Sequence, residues 1–176
     1  HGESERVAAR HLAYYLALAE RAAPLLEGKE QAVWLERLSA DLDDMRAALD
    51  HGSRRDVAPE RLYSALRLAV ALRSFWRYRG LFTEGRDRLA RLIAAAPDDA
   101  PPALLAEAHS TAGMLARYQD DHEEALRLLA RSLELQKQLG DAADRGQMAI
   151  TLRNIAAIHY WREELELSER YTREIL

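Results

Sequence analysis

The feature that most constrains the fold of this chain is a pattern that recurs three times along it. Each copy has an aromatic residue at the end of an apolar helical run, a tight glycine or polar turn, and then a small residue. The aromatic residues are Tyr78, Tyr118 and Trp161, and the small residues that follow them are Gly85, Ala125 and Ser168. Because the copies lie about 40 residues apart, the pattern predicts helical hairpins that stack on one another.

The composition also predicts an all-α fold. Alanine, leucine, arginine and glutamate dominate the 176 residues, and all four are good helix formers, whereas aromatic residues make up only 7%. The chain has no cysteine, which excludes disulfides and thiolate metal sites. No apolar stretch is long enough for a membrane helix, so we expect a cytoplasmic protein without a membrane partner.

Glycine, proline and polar breakers divide the chain into eight predicted helices. They span about 4–26, 29–50, 60–79, 83–95, 103–119, 122–139 and 145–162, with the eighth starting near Glu163. We expect them to pair as four hairpins: an N-terminal hairpin (1–52), an atypical repeat-like hairpin (53–96), a repeat hairpin (97–140) and a second one (141–176) cut short at Leu176.

The middle hairpin carries the most specific motif. Gly113, Tyr118, Ala125 and Leu129 follow the order of small residue, aromatic, turn, alanine and leucine, which resembles the tetratricopeptide repeat. In the preceding hairpin Arg73 replaces the first-helix glycine. The resemblance implies antiparallel helical hairpins stacked as a right-handed solenoid.

Longer stretches point to a narrower family. The segment ALRLLARSLELQKQLGD at 125–141 resembles the repeats of large bacterial signal-transduction ATPases that regulate transcription, and YYLALAE (14–20) and QAVWLERL (31–38) resemble the helices that follow their winged-helix module. The resemblance implies a non-catalytic module that binds proteins or effectors within a larger signalling regulator. A stand-alone repeat scaffold or adaptor is the main alternative, and a helical enzyme with a pocket between hairpins is a third.

The chemistry-bearing residues show no catalytic pattern. Gly28-Lys29 is followed by Glu30, so no phosphate loop is present, and the six histidines lack metal-ligand spacing. Adjacent acids such as Asp120-Asp121 point about 100° apart on a helix and do not converge as an acid–base pair would. We therefore predict a protein that is not an enzyme and has no catalytic residues, cofactor or metal.

In a tetratricopeptide array the first helices of the hairpins line a concave groove, and the resemblance implies which residues of this chain lie there. They are Arg67, Ser74, Arg77, Tyr78, Met114, Arg117, Tyr118, Arg153, Asn154, Tyr160 and Trp161, with Ser110 and Thr111 on the same face. Arginine can fork onto a carboxylate, and asparagine can hold a peptide backbone. The alternative for the aromatic residues is core packing between neighbouring hairpins.

The charge pattern bears on the partner. Residues 54–91 hold ten arginines and four acidic residues, in a chain whose net charge is −4. Either this segment is a solvated helix face that complements the acidic repeats, or its arginines bind an acidic or C-terminal-carboxylate peptide. We expect a protein or peptide partner, or a small effector, and no nucleic acid, because Glu123-Glu124 and Glu163-Glu164 repel phosphates. Leu165, Tyr171 and Ile175 on the last helix suggest a homodimer through an exposed end.

Overall fold

The computed structural model describes residues 2–54 and 58–175, and within them every regular element is helical. Ten α-helices and one short 3-10 turn occur there, with no strand among those residues, so the all-α prediction is confirmed. Predictions that involve His1, Arg55, Asp56 or Leu176 lie outside the described residues.

The chain divides into two compact units between Asp99 and Ala100, in the interval between the helices predicted at 83–95 and 103–119. The N-terminal unit contains α1 (Gly2–Leu25), α2 (Gln31–Ala40), α3 (Leu42–Gly52), α4 (Pro59–Ala71), α5 (Arg73–Arg79) and α6 (Phe82–Ala95). The C-terminal unit contains α7 (Pro102–Tyr118), α8 (His122–Gln138), the 3-10 turn (Gly140–Ala142), α9 (Arg145–Trp161) and α10 (Leu165–Arg173).

Two of the predicted helices are each divided in the structure. The helix predicted at 29–50 breaks at Asp41, and the one predicted at 60–79 breaks at Leu72. At both residues ψ is close to zero (11° and 0°), whereas backbone hydrogen bonds of the helical type continue on either side, such as Trp76 N to Leu72 O at 2.9 Å. No glycine or proline marks these bends, so the sequence gives no signal for them.

The N-terminal unit is built around α4. This helix packs against α1, α3 and α6, while α2 lies against α1 and α5. Leu66, Phe75 and Trp76 are fully buried in this unit. Helices α3 and α4 approach so closely that a Cβ atom on Gly52 would collide with the Cβ of Ala65.

The C-terminal unit consists of two helical hairpins. Helix α7 pairs with α8 and α9 with α10, and α9 also packs against both helices of the first hairpin. The α7–α8 crossing depends on a small residue, because a Cβ on Gly113 would lie 2.7 Å from Leu129 Cγ and 3.2 Å from the carbonyl oxygen of Ala125. In the second hairpin Ser168 Oγ donates to the carbonyl of Ala156 at 3.0 Å.

Buried hydroxyl groups join α9 to the first hairpin. Ser110 Oγ and Thr151 Oγ1 lie 2.9 Å apart, and Ser132 Oγ donates to the carbonyl of Ala106 at 2.7 Å. All three hydroxyl side chains are almost completely buried. Buried polar groups that bond to each other favour one packing register over its neighbours, so this cluster fixes where α9 sits on α7 and α8.

The turns after α5, α7 and α9 have the same backbone geometry. Each contains one left-handed residue, namely Gly80 (φ 68°), Asp120 (φ 58°) and Glu163 (φ 61°). The next residue then donates its N–H to the carbonyl five positions back: Leu81 to Trp76 at 2.9 Å, Asp121 to Ala116 at 3.1 Å and Glu164 to His159 at 2.9 Å. These are Schellman turns, and they recur at the spacing of the aromatic residues Tyr78, Tyr118 and Trp161.

The face of α10 that carries Leu165 and Tyr171, followed by Ile175, is partly exposed, as predicted. Leu165 is 57% exposed, but Tyr171 and Ile175 pack against the buried core that α7, α8 and α9 form. The Tyr171 ring is also stacked on His159, with 5.5 Å between the ring centroids. Tyr171 and Ile175 are half-buried, and no residue of α10 is fully buried.

The close helix crossings predict a specific pattern of stability changes. We expect Gly52→Ala and Gly113→Ala to destabilise the protein by about 1–3 kcal/mol each, because the added methyl group forces two helices apart. Gly28→Ala is the matched control, since the nearest atom to its added Cβ would be 3.9 Å away. Denaturant unfolding checks this, and three equally stable variants would mean that the crossings are looser than described.

The left-handed turns make a second prediction. A non-glycine residue in this conformation costs about 1–2 kcal/mol, so Glu163→Gly should raise the melting temperature. Glu166→Gly, three residues later in the first turn of α10, should lower it, because glycine weakens a helix by about 1 kcal/mol. If both variants shift the melting temperature in the same direction, Glu163 does not hold the strained conformation.

Candidate functional site

The predicted groove residues fall in both units. Arg67, Ser74, Arg77 and Tyr78 belong to α4 and α5 of the N-terminal unit, and the other predicted residues belong to α7 and α9 of the C-terminal unit. The two groups have different surroundings.

In the N-terminal unit, three of these residues converge on one carboxylate. Glu27, in the turn after α1, accepts hydrogen bonds from Ser74 Oγ (2.7 Å), Arg77 Nη2 (2.8 and 2.9 Å) and Tyr78 Oη (3.1 Å). Burial raises the pKa of Glu27, but the Ser74 hydrogen bond and the Arg77 charge outweigh it, so the pKa lies below its ordinary value. Arg77 is therefore already bound to an internal acid.

Other arginines of the segment 54–91 are paired in the same way. Each of them meets a glutamate from the first 36 residues: Arg61 with Glu5 at 2.6 Å, Arg67 with Glu20 at 2.5 Å, and Arg79 with Glu36 at 2.7 Å. The arginine-rich segment therefore pairs with acids of the N-terminal helices, whereas the interpretation had placed its acidic complement in the repeats. The acids come from α1, α2 and the turn between them, within the N-terminal unit.

A further group of charged side chains links α3 to α6. Arg46 binds Glu84 through two hydrogen bonds, of 2.8 and 2.6 Å. Arg88, which is only 9% exposed, binds Glu84 at 3.0 Å and Asp50 at 2.8 Å. The hydrogen bond from Arg46, with that from Arg88, outweighs burial and lowers the pKa of Glu84. Only the Glu84–Arg88 spacing of four residues hinted at this network in the sequence.

In the C-terminal unit, Arg117 and Asn154 come together. Arg117 Nε donates to Asn154 Oδ1 at 3.2 Å, and Asn154 Nδ2 donates to the carbonyl of Ile150 at 2.9 Å. The guanidinium carbon of Arg117 lies 4.4 Å from the centre of the Tyr118 ring. Arg117 is half-buried, and no acidic side chain of the described residues pairs with it.

Other predicted groove residues of this unit lie on its surface. Arg153 is exposed, and Tyr160 and Trp161 are 60% and 70% exposed with their rings edge to face, 6.0 Å between centroids. The alternative in which Trp161 packs in the core is wrong. Met114 is half-buried.

Ser110 and Thr111 do not lie on an open face. Both are buried between helices at 2% exposure, and Ser110 belongs to the hydroxyl cluster that holds α9. The sequence prediction placed Ser110 and Thr111 on the groove face of α7. Small polar side chains are common both on surfaces and in hydrogen-bonded cores, so their type did not distinguish the two environments.

Within the described residues, no group of three histidine, aspartate or glutamate side chains is arranged to hold a metal ion. A cleft of about 370 Å³ between α2 and α5 is lined by Glu36 and Arg79, which pair with each other. Among the described helices none is long and apolar enough to cross a membrane.

Comparison of the sequence with models of known protein families gives no match. A comparison with curated proteins also gives none.

The charge network predicts a defined pH dependence. Because the pKa of Glu84 is lowered by folding, its contribution to stability is complete above the ordinary glutamate pKa and is lost as pH falls through the lowered one. We expect Glu84→Gln to cost about 1–2 kcal/mol near pH 7, and less at about pH 3.

Urea unfolding at the two pH values measures this, with Glu174→Gln as a control at an exposed position. A Glu84→Gln effect that does not diminish in acid would contradict the ionic role of Glu84.

Proposed function

We propose that this chain is a non-catalytic binding module, a tetratricopeptide-like array of helical hairpins within a larger cytoplasmic signalling regulator. The observation that carries the proposal is the exposure of Arg153, Tyr160 and Trp161 on α9, with Arg117 and Tyr118 at the end of α7. The role in a bacterial signal-transduction ATPase rests on the sequence resemblance at 14–20, 31–38 and 125–141.

Support for a repeat array comes from the backbone. Turns of the same Schellman type follow α5, α7 and α9, so three first helices end alike. In the C-terminal unit α9 packs against both helices of the preceding hairpin. Such nearest-neighbour packing is what a stack of hairpins needs, because one hairpin alone cannot bury its apolar face.

Support for binding comes from the exposed aromatic rings. Tyr160 and Trp161 place two large rings next to each other in solvent at the end of α9. Large rings bury much area at a low cost in side-chain entropy, and tryptophan, tyrosine and arginine dominate the energetics of protein interfaces. The exposed Arg153 lies on the same helix, so the surface combines these residue types.

The chemistry of this face favours holding a ligand rather than transforming it. Its polar groups are the guanidinium groups of Arg117 and Arg153, because the Asn154 amide is buried and bonded to Arg117 and to the carbonyl of Ile150. Guanidinium groups stay protonated at physiological pH and only donate hydrogen bonds, so they serve recognition rather than proton abstraction.

A selection from a phage-displayed library of random peptides tests the proposal with the complete chain. We expect peptides to be recovered, and Trp161→Ala to weaken their binding at least about tenfold, as expected for a central aromatic anchor. Tyr14→Ala is the matched control, because Tyr14 is a comparably exposed ring in the N-terminal unit, on α1.

Peptides that bind the Trp161→Ala variant as strongly as the parent would place the interaction elsewhere. A selection that yields no binding peptide would contradict the proposal itself.

A further inference from the structure

The cleft between α2 and α5 combines an apolar inner wall with a charged rim. Six residues line it, namely Glu36, Ser39, Leu42, Phe75, Arg79 and Leu81. Phe75 has no exposed surface, and Leu42 and Leu81 are half-buried, so these apolar side chains form the inner wall. The side chain of Glu36 is 79% exposed, which places the charged groups at the solvent edge.

Helical spacing puts the lining residues on facing walls. Phe75 and Arg79 lie four residues apart on α5, and Glu36 and Ser39 lie three residues apart on α2. Residues at these spacings share one face of a helix. Each wall therefore offers one charged side chain to the cleft, and the two charges have opposite sign.

The ends of the cleft lie where a helix is interrupted. Leu42 follows the break at Asp41, and Leu81 follows the left-handed Gly80. The space between measures about 370 Å³, at the small end of the roughly 300–1,000 Å³ that is usual for small-molecule sites. This volume suits a compact ligand with one apolar side chain.

The two rim charges are joined by a single hydrogen bond. Arg79 Nη2 donates to Glu36 Oε1 at 2.7 Å, and neither side chain has another hydrogen bond or ion pair among the described residues. By contrast, Arg46 binds Glu84 through two hydrogen bonds. The other guanidinium N–H groups of Arg79 and the second carboxylate oxygen of Glu36 therefore keep bonding capacity for a ligand.

This pair of charges selects the charge of the ligand. A carboxylate alone competes with Glu36 for Arg79, and an ammonium group alone competes with Arg79 for Glu36. A ligand that carries both groups binds to both side chains and leaves the rim electrically balanced. Recognition of a zwitterion is thus the outcome that the charges of the cleft favour.

We propose that this cleft binds a free apolar α-amino acid of about the size of leucine. The carboxylate of the ligand binds to Arg79 and its ammonium group to Glu36, while its side chain packs against Phe75, Leu42 and Leu81. The site goes beyond the proposed function, because it lies in the N-terminal unit, whereas the rings proposed to bind peptides belong to α9 of the C-terminal unit.

An NMR titration of the complete ¹⁵N-labelled chain tests this at about pH 6.5, where both ends of the amino acid are charged. The readout is the shift of the backbone amide signals of Ser39 and Leu81. Leucine is the main probe, N-acetylleucine lacks the ammonium group, leucinamide lacks the carboxylate, and glycine lacks the apolar side chain. We expect saturable binding of leucine with a Kd of about 1 mM or lower, and binding of the other three at least about tenfold weaker.

Two variants separate the roles of the rim charges. Glu36→Gln should remove the preference for leucine over N-acetylleucine and keep the preference over leucinamide, whereas Arg79→Gln should do the reverse. A loss of stability alone would not produce these opposite changes. Glu20→Gln is the matched control and should keep both preferences, because Glu20 also pairs with an arginine, Arg67, but does not line the cleft.

The proposal is overturned if leucine at about 10 mM causes no saturable shift at Ser39 and Leu81, or if both variants keep the selectivity of the parent. Equal binding of leucine, N-acetylleucine and leucinamide would also contradict it, because it would mean an apolar crevice without charge recognition. None of these results depends on Trp161, so failure of this site is distinguishable from failure of the proposed function.

Discussion

The close approach of α7 and α8 at Gly113 is the constraint on which the C-terminal unit depends. With no side chain at this position, Leu129 and the carbonyl of Ala125 come within contact distance of the α7 backbone. The two helices then form a platform against which α9 packs. The hydroxyl pair Ser110–Thr151 fixes the register of α9, and that register brings Asn154 to 3.2 Å from Arg117. The candidate site is thus a consequence of backbone packing.

Charge is used differently at Arg77 and Arg117. In the N-terminal unit the acids of the first 36 residues pair with arginines of α4 and α5. Because at least one partner of each pair is exposed to solvent, each pair contributes only about 0–1 kcal/mol to stability. Arg117 contacts the Tyr118 ring and the amide oxygen of Asn154.

Much of the fold was predictable from local sequence. Helix positions followed from apolar periodicity, and the end of α5 from Gly80, which adopts the left-handed conformation that glycine favours. The equivalent turns at Asp120 and Glu163 carry no such residue signal, and only their spacing from Tyr118 and Trp161 suggested them. The breaks at Asp41 and Leu72 are local changes in ψ within sequence that favours a helix. Helix propensity therefore did not predict them.

The site was less predictable, because it depends on contacts between residues distant in sequence. Arg77, Arg117 and Asn154 were identifiable as candidates from their repeat positions. Glu27 lies 50 residues before Arg77, and no feature of the sequence distinguished it from the other glutamates. The residues around Arg77 and Arg117 also did not indicate that only Arg77 would pair with an acid. Exposure was equally difficult to predict, since Trp161 lies in solvent while Ser110 is buried.

The central claim for the N-terminal unit is that Arg77 is held in an ion pair with the carboxylate of Glu27. The most direct measurement is the pKa of the Glu27 carboxyl group, followed by ¹³C NMR in the parent and in Arg77→Met. The account predicts a pKa below the ordinary glutamate value in the parent and a rise in the variant, because the opposing effect of burial remains after the charge is removed. An ordinary pKa in the parent that Arg77→Met leaves unchanged would contradict it.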